Sequence, residues 1–109
     1  MGRNDALQGT LPLLLLTVLD RRGPLHGYGI TLQIEGMSDN VLRVEEGSLY
    51  PALHRMEEAG WIKAKWARTE TGRRARMYDI TPAGRRQLET EEARWRAVTA
   101  AVDHLLQHA

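Results

Sequence analysis

The chain has 109 residues, 42% of them hydrophobic and 27% charged, with a formal net charge of +1 and no cysteine. A chain of this length is one folded unit with little room for a second, and so small a fold buries a modest share of its surface and leans on a partner subunit. The lack of cysteine excludes a disulfide scaffold, thiol redox chemistry and a structural zinc site of the cysteine type, and it fits a cytoplasmic protein.

A first helix is expected over residues 11–21 of LPLLLLTVLDR, with Pro12 near its start, where a missing N–H costs little. It is apolar on most faces and therefore wedged between other elements. The run from Leu11 to Leu19 follows Arg3 as a signal-peptide core would, but Pro12 interrupts it, Asp20, Arg21 and Arg22 close it, and no small-residue cleavage site comes after. It is also too short to span a bilayer, so no membrane partner is expected. Gly23-Pro24 ends the helix. Residues 27–34 read as a short second helix with Ile30 and Ile34 one turn apart, and residues 36–40 as a turn.

Ser48 reads as the cap of a third helix, with Pro51 inside its first turn. Leu49, Leu53 and Met56 fall at i, i+4 and i+7 and form one buried stripe, which leaves Tyr50, Pro51, His54 and Arg55 on the outside. Gly60 closes this helix in the C′ position. Two strands follow, over residues 62–67 and 75–80, joined by a turn at residues 69–72 in which Gly72 is free to take positive φ. Thr81-Pro82 pairs an N-cap with a proline at the first helical position and starts a last helix that runs to about Gln107, roughly 40 Å at the standard rise.

The charge is concentrated rather than large. Between Lys63 and Arg76 the basic residues Lys63, Lys65, Arg68, Arg73, Arg74 and Arg76 face only Glu70, whereas Glu89, Glu91, Glu92 and Asp103 lie beyond Leu88. An amphipathic helix followed by a cationic hairpin is the layout of a winged helix-turn-helix, mainly α with a small β-hairpin (α+β). Residues 1–81 would be the DNA-binding part and residues 82–109 a long dimerisation helix of the same structural unit. On this layout the outer face of the third helix enters the major groove. Arg55 reaches a guanine edge or a phosphate, His54 either, and the Tyr50 hydroxyl a phosphate. Ser48 donates to a phosphate beside free backbone N–H groups, or simply caps its helix. Pro51 fixes the helix entry. Arg73, Arg74 and Arg76 sit where a wing clamps the minor groove, with strand alternation placing Arg74 and Arg76 on one face and Arg73 on the other.

Leu88, Trp95, Val98, Val102 and Leu105 recur at heptad-like spacing along the last helix, with Leu106 alongside. A second subunit buries such a seam economically, a fold-back onto Leu13 to Val18 is the other solution, and each face can serve one contact. Trp95 either fills the seam or stacks on a planar aromatic ligand. His104 and His108 are four apart, but no third metal ligand is near, and Glu57-Glu58 and Glu91-Glu92 each diverge around their helix. There is no phosphate-cradling glycine loop, nucleophile elbow or triad, so no enzyme, cofactor or metal is expected. A winged helix that binds an acidic protein instead of DNA is the competing reading. The two differ in whether a basic third-helix face and the wing share one side.

The motifs LPLLLLTVL at 11–19, HGYGI at 26–30, GSLYPAL at 47–53, MEEAGWI at 56–62 and RMYDITPAG at 76–84, in that order, resemble the PadR family of bacterial transcriptional regulators over nearly the whole chain. The single C-terminal helix is similar to the family's short-tailed branch. Trp61 stands where the family usually has a smaller aliphatic residue and Gly29 where a bulkier or charged one is common; Gly29 would loosen the start of the second helix. The resemblance implies a homodimer held by the last and first helices, and repression through a pseudo-palindromic operator. In several members it also implies an apolar space between subunits that takes a small aromatic or drug-like effector and releases the DNA. Tyr28 matches a family position near the backbone of bound double-stranded DNA.

Overall fold

The computed structural model describes residues 5–108. Residues 1–4 and 109, Arg3 among them and the outer ends of the two expected segments, lie outside the described residues. The element order is α1 (Asp5–Arg22), α2 (Gly27–Met37), α3 (Glu46–Glu58), β1 (Ile62–Arg68), β2 (Arg74–Ile80) and α4 (Pro82–Gln107). The architecture is the expected α+β one, four helices and a two-stranded antiparallel sheet.

Leucines on several faces of α1 make it the centre of the core. Leu11, Leu15, Leu16 and Leu19 are fully buried and meet Ile30 and Ile34 of α2, Leu49, Leu53 and Met56 of α3, and Ile62, Tyr78 and Ile80 of the sheet. The expected α3 stripe is thus the face that enters the core. Pro12, in contrast, does not start α1; it lies inside it, because the helix already runs from Asp5. A proline removes one backbone bond from a helix, and burial of four leucine side chains around it outweighs that loss.

Helices α1 and α3 differ from expectation at their starts and agree at their stops. The cap of α3 is Glu45, not Ser48. Ser48 and Leu49 both donate their N–H to the Glu45 carbonyl (3.0 and 2.9 Å), so the helix begins one turn earlier, and no side chain caps it. Pro51 therefore sits in the second turn. The N–H it lacks would have bonded the Gly47 carbonyl, and Gly47 is exposed, so water can take that place. At the other end Gly60 adopts φ +81°, the Trp61 N–H donates to Met56 O and the Gly60 N–H to Glu57 O (both 3.0 Å), which is a Schellman stop. Helix α2 runs past its expected end through Gly36 to Met37. Asp39 and Asn40 take the left-handed conformation there, with Asn40 N–H donating to Glu35 O at 2.7 Å. Its start is held by a less usual cap: His26 Nδ1 accepts from the Gly29 N–H at 3.0 Å. A Cβ on residue 29 would lie 3.4 Å from the His26 and Leu25 side chains, an ordinary van der Waals contact.

The hairpin register pairs Ile62 with Ile80, Ala64 with Tyr78, Trp66 with Arg76 and Arg68 with Arg74. Gly72, at φ +85°, closes the turn, with its N–H on Thr69 O at 2.9 Å. The sheet has a third participant that sequence pattern did not indicate. Leu25 exchanges both backbone bonds with Tyr78 (2.8 and 3.1 Å), which staples the segment before α2 onto the open edge of β2.

Helix α4 starts as expected. Thr81 accepts from the Gly84 N–H at 3.0 Å, and its hydroxyl reaches back to the Gly60 carbonyl at 2.7 Å. Its first half lies along α1, where Leu88 packs on the core, Glu91 is buried with Gln87 and Arg94 as partners, and Arg85 pairs with Asp20 at 3.2 Å. From Ala93 to His108 every residue is exposed, and the molecule measures 55 × 27 × 26 Å because the second half of α4 projects from the body.

Candidate nucleic-acid interface

The exposed side of α3 carries Tyr50, Pro51, His54 and Arg55, all on the surface as the stripe requires. Arg55 has no ion-pair partner among the described residues, while His54 lies 3.5 Å from Glu58 one turn on. Ser48 is half-buried in the first turn of α3. Tyr50 looks two ways. It is exposed, yet its hydroxyl sits over Gly27, where a Cβ would come within 2.5 Å of the phenolic oxygen. The bare α-carbon of Gly27 is thus what lets the start of α2 approach α3. Tyr28, next in the chain, is 65% exposed, and its ring is parallel to that of His26 at 6.4 Å.

The hairpin leans over these groups. Alternation puts Ile62, Ala64, Trp66 and Arg68 of β1 on the same face as Arg74, Arg76, Tyr78 and Ile80 of β2. The inner end of that face enters the core and the outer end overhangs the start of α2. Between them lies an open groove of about 990 Å³, walled by His26, Tyr28 and Tyr50 on one side and by Trp66, Arg74 and Arg76 on the other. Burial pushes the Tyr78 phenol at its base above the ordinary value of 10.0, with the Arg76 guanidinium pulling the other way. That phenol stays neutral across the physiological range.

The arginines are not equivalent. Arg76 is held by Glu57 of α3 at 2.8 Å, a bond that ties the wing to the third helix. Arg68 Nη1 donates to the Gly72 carbonyl at 2.9 Å and braces the turn. Arg73 belongs to the turn, not to the strand, so alternation does not govern its direction. Arg73 is exposed, and like Arg74, Lys63 and Lys65 it has no carboxylate partner among the described residues. Arg74 lies over the Trp66 ring, 5.2 Å from its centroid. Trp66 was absent from the residues singled out by sequence. An aromatic residue set between Lys65 and Arg68 in a basic strand was the available signal.

The seam residues divide by length along α4. Leu88 is used within its own chain, whereas Trp95, Val98, Val102, Leu105 and Leu106 are exposed, Leu105 at 72%. Trp95 also lines a second cavity of about 400 Å³ with Leu13, Leu14, Val18, Met37 and Leu88, between α1, α2 and α4. The His104 and His108 rings lie tilted against each other with centroids 4.4 Å apart, and among the described residues no three His, Asp or Glu side chains are grouped to hold a metal. No helix among them is long and apolar enough to cross a membrane.

Residues 15–90 match the model of the transcriptional regulator PadR-like family. A transcriptional regulator from Clostridium thermocellum superposes with a TM-score of 0.82 at 28% identity, over 92% of this chain and 96% of that one. A PadR-like transcriptional regulator from Bacillus cereus superposes at 0.77 with 30% identity, over 93% and 95%. The transcriptional regulator Rv3488 of Mycobacterium tuberculosis is 41% identical over 70 residues, 64% of this chain and 61% of that protein. Members of the PadR-like family regulate transcription and are not enzymes; the chain belongs to the PadR-like family of transcriptional regulators.

Proposed function

We propose that this regulator is a homodimeric, sequence-specific DNA-binding repressor acting in the cytoplasm, with residues 1–81 as the reader and residues 82–109 as the dimerisation helix. The observation that carries the proposal is that Tyr50, on the exposed face of α3, and the cationic wing border one groove, an arrangement that supports reading bases and phosphates from one side. Helix α3 enters the major groove of a pseudo-palindromic operator, with Arg55 at a guanine edge or a phosphate, His54 at either, and the Tyr50 hydroxyl at a phosphate. Ser48, Pro51 and the start of α3 border the backbone, Tyr28 approaches a phosphate, and Arg73 and Arg74 reach the adjacent minor groove. Arg76 acts chiefly by fixing the wing through Glu57. Two-fold symmetry spaces the half-sites about one helical turn, roughly 34 Å.

Arg55→Ala is expected to weaken operator binding by about tenfold and to relax base preference, as loss of a base-edge contact worth about 1–3 kcal/mol does. Arg73→Ala is expected to weaken all duplexes alike and to reduce the salt slope by about one. Fluorescence anisotropy across a salt series checks both. Binding indifferent to salt would remove the phosphate-led mechanism, and selective capture of an acidic protein in its place would favour the interaction-module reading.

Repression is relieved by a small planar aromatic effector. The cavity beside Trp95 supports this, since about 400 Å³ lies within the range of ligand pockets and its walls are largely apolar. Titrating planar aromatic compounds should quench Trp95 emission, and the quench should disappear in Trp95→Ala. A quench that survives the substitution would place the ligand elsewhere.

A further inference from the structure

We infer that Trp66 is a positioning residue for DNA, its indole face holding the Arg74 guanidinium in the groove for a phosphate of one strand. The inference rests on the DNA-binding reading and assigns a role to a residue outside the contact set proposed above. It starts from how the three arginines on the inner wing face are held. Arg76 is neutralised by Glu57, and Arg68 spends a donor on the Gly72 carbonyl. Among the described residues Arg74 is held by an aromatic face alone, at 5.2 Å.

That difference matters for what the group can still do. A carboxylate partner cancels the charge of a guanidinium and occupies its N–H donors. An indole face attracts the cation through its quadrupole and accepts none of those bonds in the guanidinium plane. Arg74 is therefore ordered yet retains both its charge and the planar fork that suits a phosphate. The ring itself is 60% exposed, so core packing does not account for its size. Cross-strand geometry does account for the pair: Trp66 is directly opposite Arg76 and diagonal to Arg74, within reach of a long side chain.

The surroundings select the partner. Arg68, Arg73 and Arg74 line the groove with Glu70 as its acidic lining residue, and Arg76 is already paired with Glu57, so the groove keeps a net positive charge and takes an anion. It is a trough open to solvent, with Tyr28 and Tyr50 across from Trp66, which suits a continuous sugar–phosphate strand. On the strand's near side Arg74 meets a phosphate, and on its far side the two phenols can donate to phosphate oxygens.

The test uses the full chain and a labelled random-sequence duplex of about three helical turns, with anisotropy followed as salt is raised. Trp66→Phe keeps a π face and should bind within about twofold of wild type, whereas Trp66→Leu keeps apolar bulk without it and should bind about three- to fivefold more weakly. The salt slope of Trp66→Leu should move toward that of Arg74→Ala, and the double variant Trp66→Leu/Arg74→Ala should be no weaker than Arg74→Ala alone. Wild-type binding by Trp66→Leu, or losses that multiply in the double variant, would overturn the inference while leaving DNA binding intact. Failure of the wild-type chain to bind any duplex would overturn the DNA-binding reading and this inference with it. Without DNA, the Arg74 δ-methylene protons should resonate upfield through the indole ring current in wild type; ordinary shifts there would remove the pair.

Discussion

Replacing Gly84 with alanine should destabilise the fold by about 3 kcal/mol, where helix propensity alone predicts a gain of about 1 kcal/mol. Gly84 is in the first turn of α4 and buried, and the helix passes there against the backbone that leaves α3. A Cβ would lie 2.8 Å from Ile80 Cγ1 and 3.0 Å from the Trp61 carbonyl carbon, and closer still to the Trp61 carbonyl oxygen. That oxygen cannot retreat easily, because it accepts from the Thr81 N–H at 3.0 Å and from the Thr81 hydroxyl at 3.0 Å. The alanine therefore either pushes α4 away from β1 or breaks the bonds that start α4. Urea titration at matched protein concentration measures the effect, since the proposed dimer would make apparent stability depend on concentration. A Gly84→Ala protein as stable as wild type would show that the helix start moves freely, and that the close approach carries no energy.

The second large effect is expected at the other end of α4. Val98 and Val102 lie on the projecting half of the helix, where every residue is exposed in a single copy of the chain. A helical arm of this kind is marginal in water without packing, since isolated helices shorter than about 12–15 residues rarely hold. In the proposed dimer a second copy laid along the same seam would supply that packing. The double variant Val98→Glu/Val102→Glu should sediment as a monomer where the wild type sediments as a dimer. Its core should be unaffected, because neither side chain touches it, and thermal unfolding of the monomer should show this. Its affinity for a two-half-site operator should fall by at least about a hundredfold, the loss expected when two linked binding events become independent. A double variant that still sediments as a dimer, or a wild type that does not, would place the interface elsewhere.

These two sites also show how differently the chain discloses its parts. Position 84 carried no warning beyond a glycine inside a strong helix start, and the reason for it lies in a carbonyl contributed by Trp61. The seam at Trp95, Val98, Val102 and Leu105 was visible from spacing alone, but spacing did not show that Leu88 would leave it for the chain's own core. The same holds for the wing. Its strands, its turn at Gly72 and its positive charge could be read directly. The unequal holding of Arg68, Arg74 and Arg76 could not, since it depends on Glu57, a carbonyl in the turn, and an indole on the facing strand. Tyr50 was read as a surface residue, which it is, while its contact with Gly27 joins helices whose approach no periodicity encodes. His26 was passed over as a cap because imidazole is an unusual one, although its bond to Gly29 is local.

What the linear chain determined by itself is whatever arises within a few residues. The α3 stripe, the Gly60 stop, the Thr81-Pro82 start and the charge of the hairpin follow from backbone conformational preference and from which side chains avoid water, and both operate at short range. Tertiary structure alone decided the Leu25–Tyr78 bridge, the Arg76–Glu57 tie, the fit of Gly84 under Trp61 and the groove that these contacts leave open. Each of those joins segments far apart in the chain. Their distance and angle are set only when all the helices pack on α1 together, and that packing is a property of the whole core, not of any one segment.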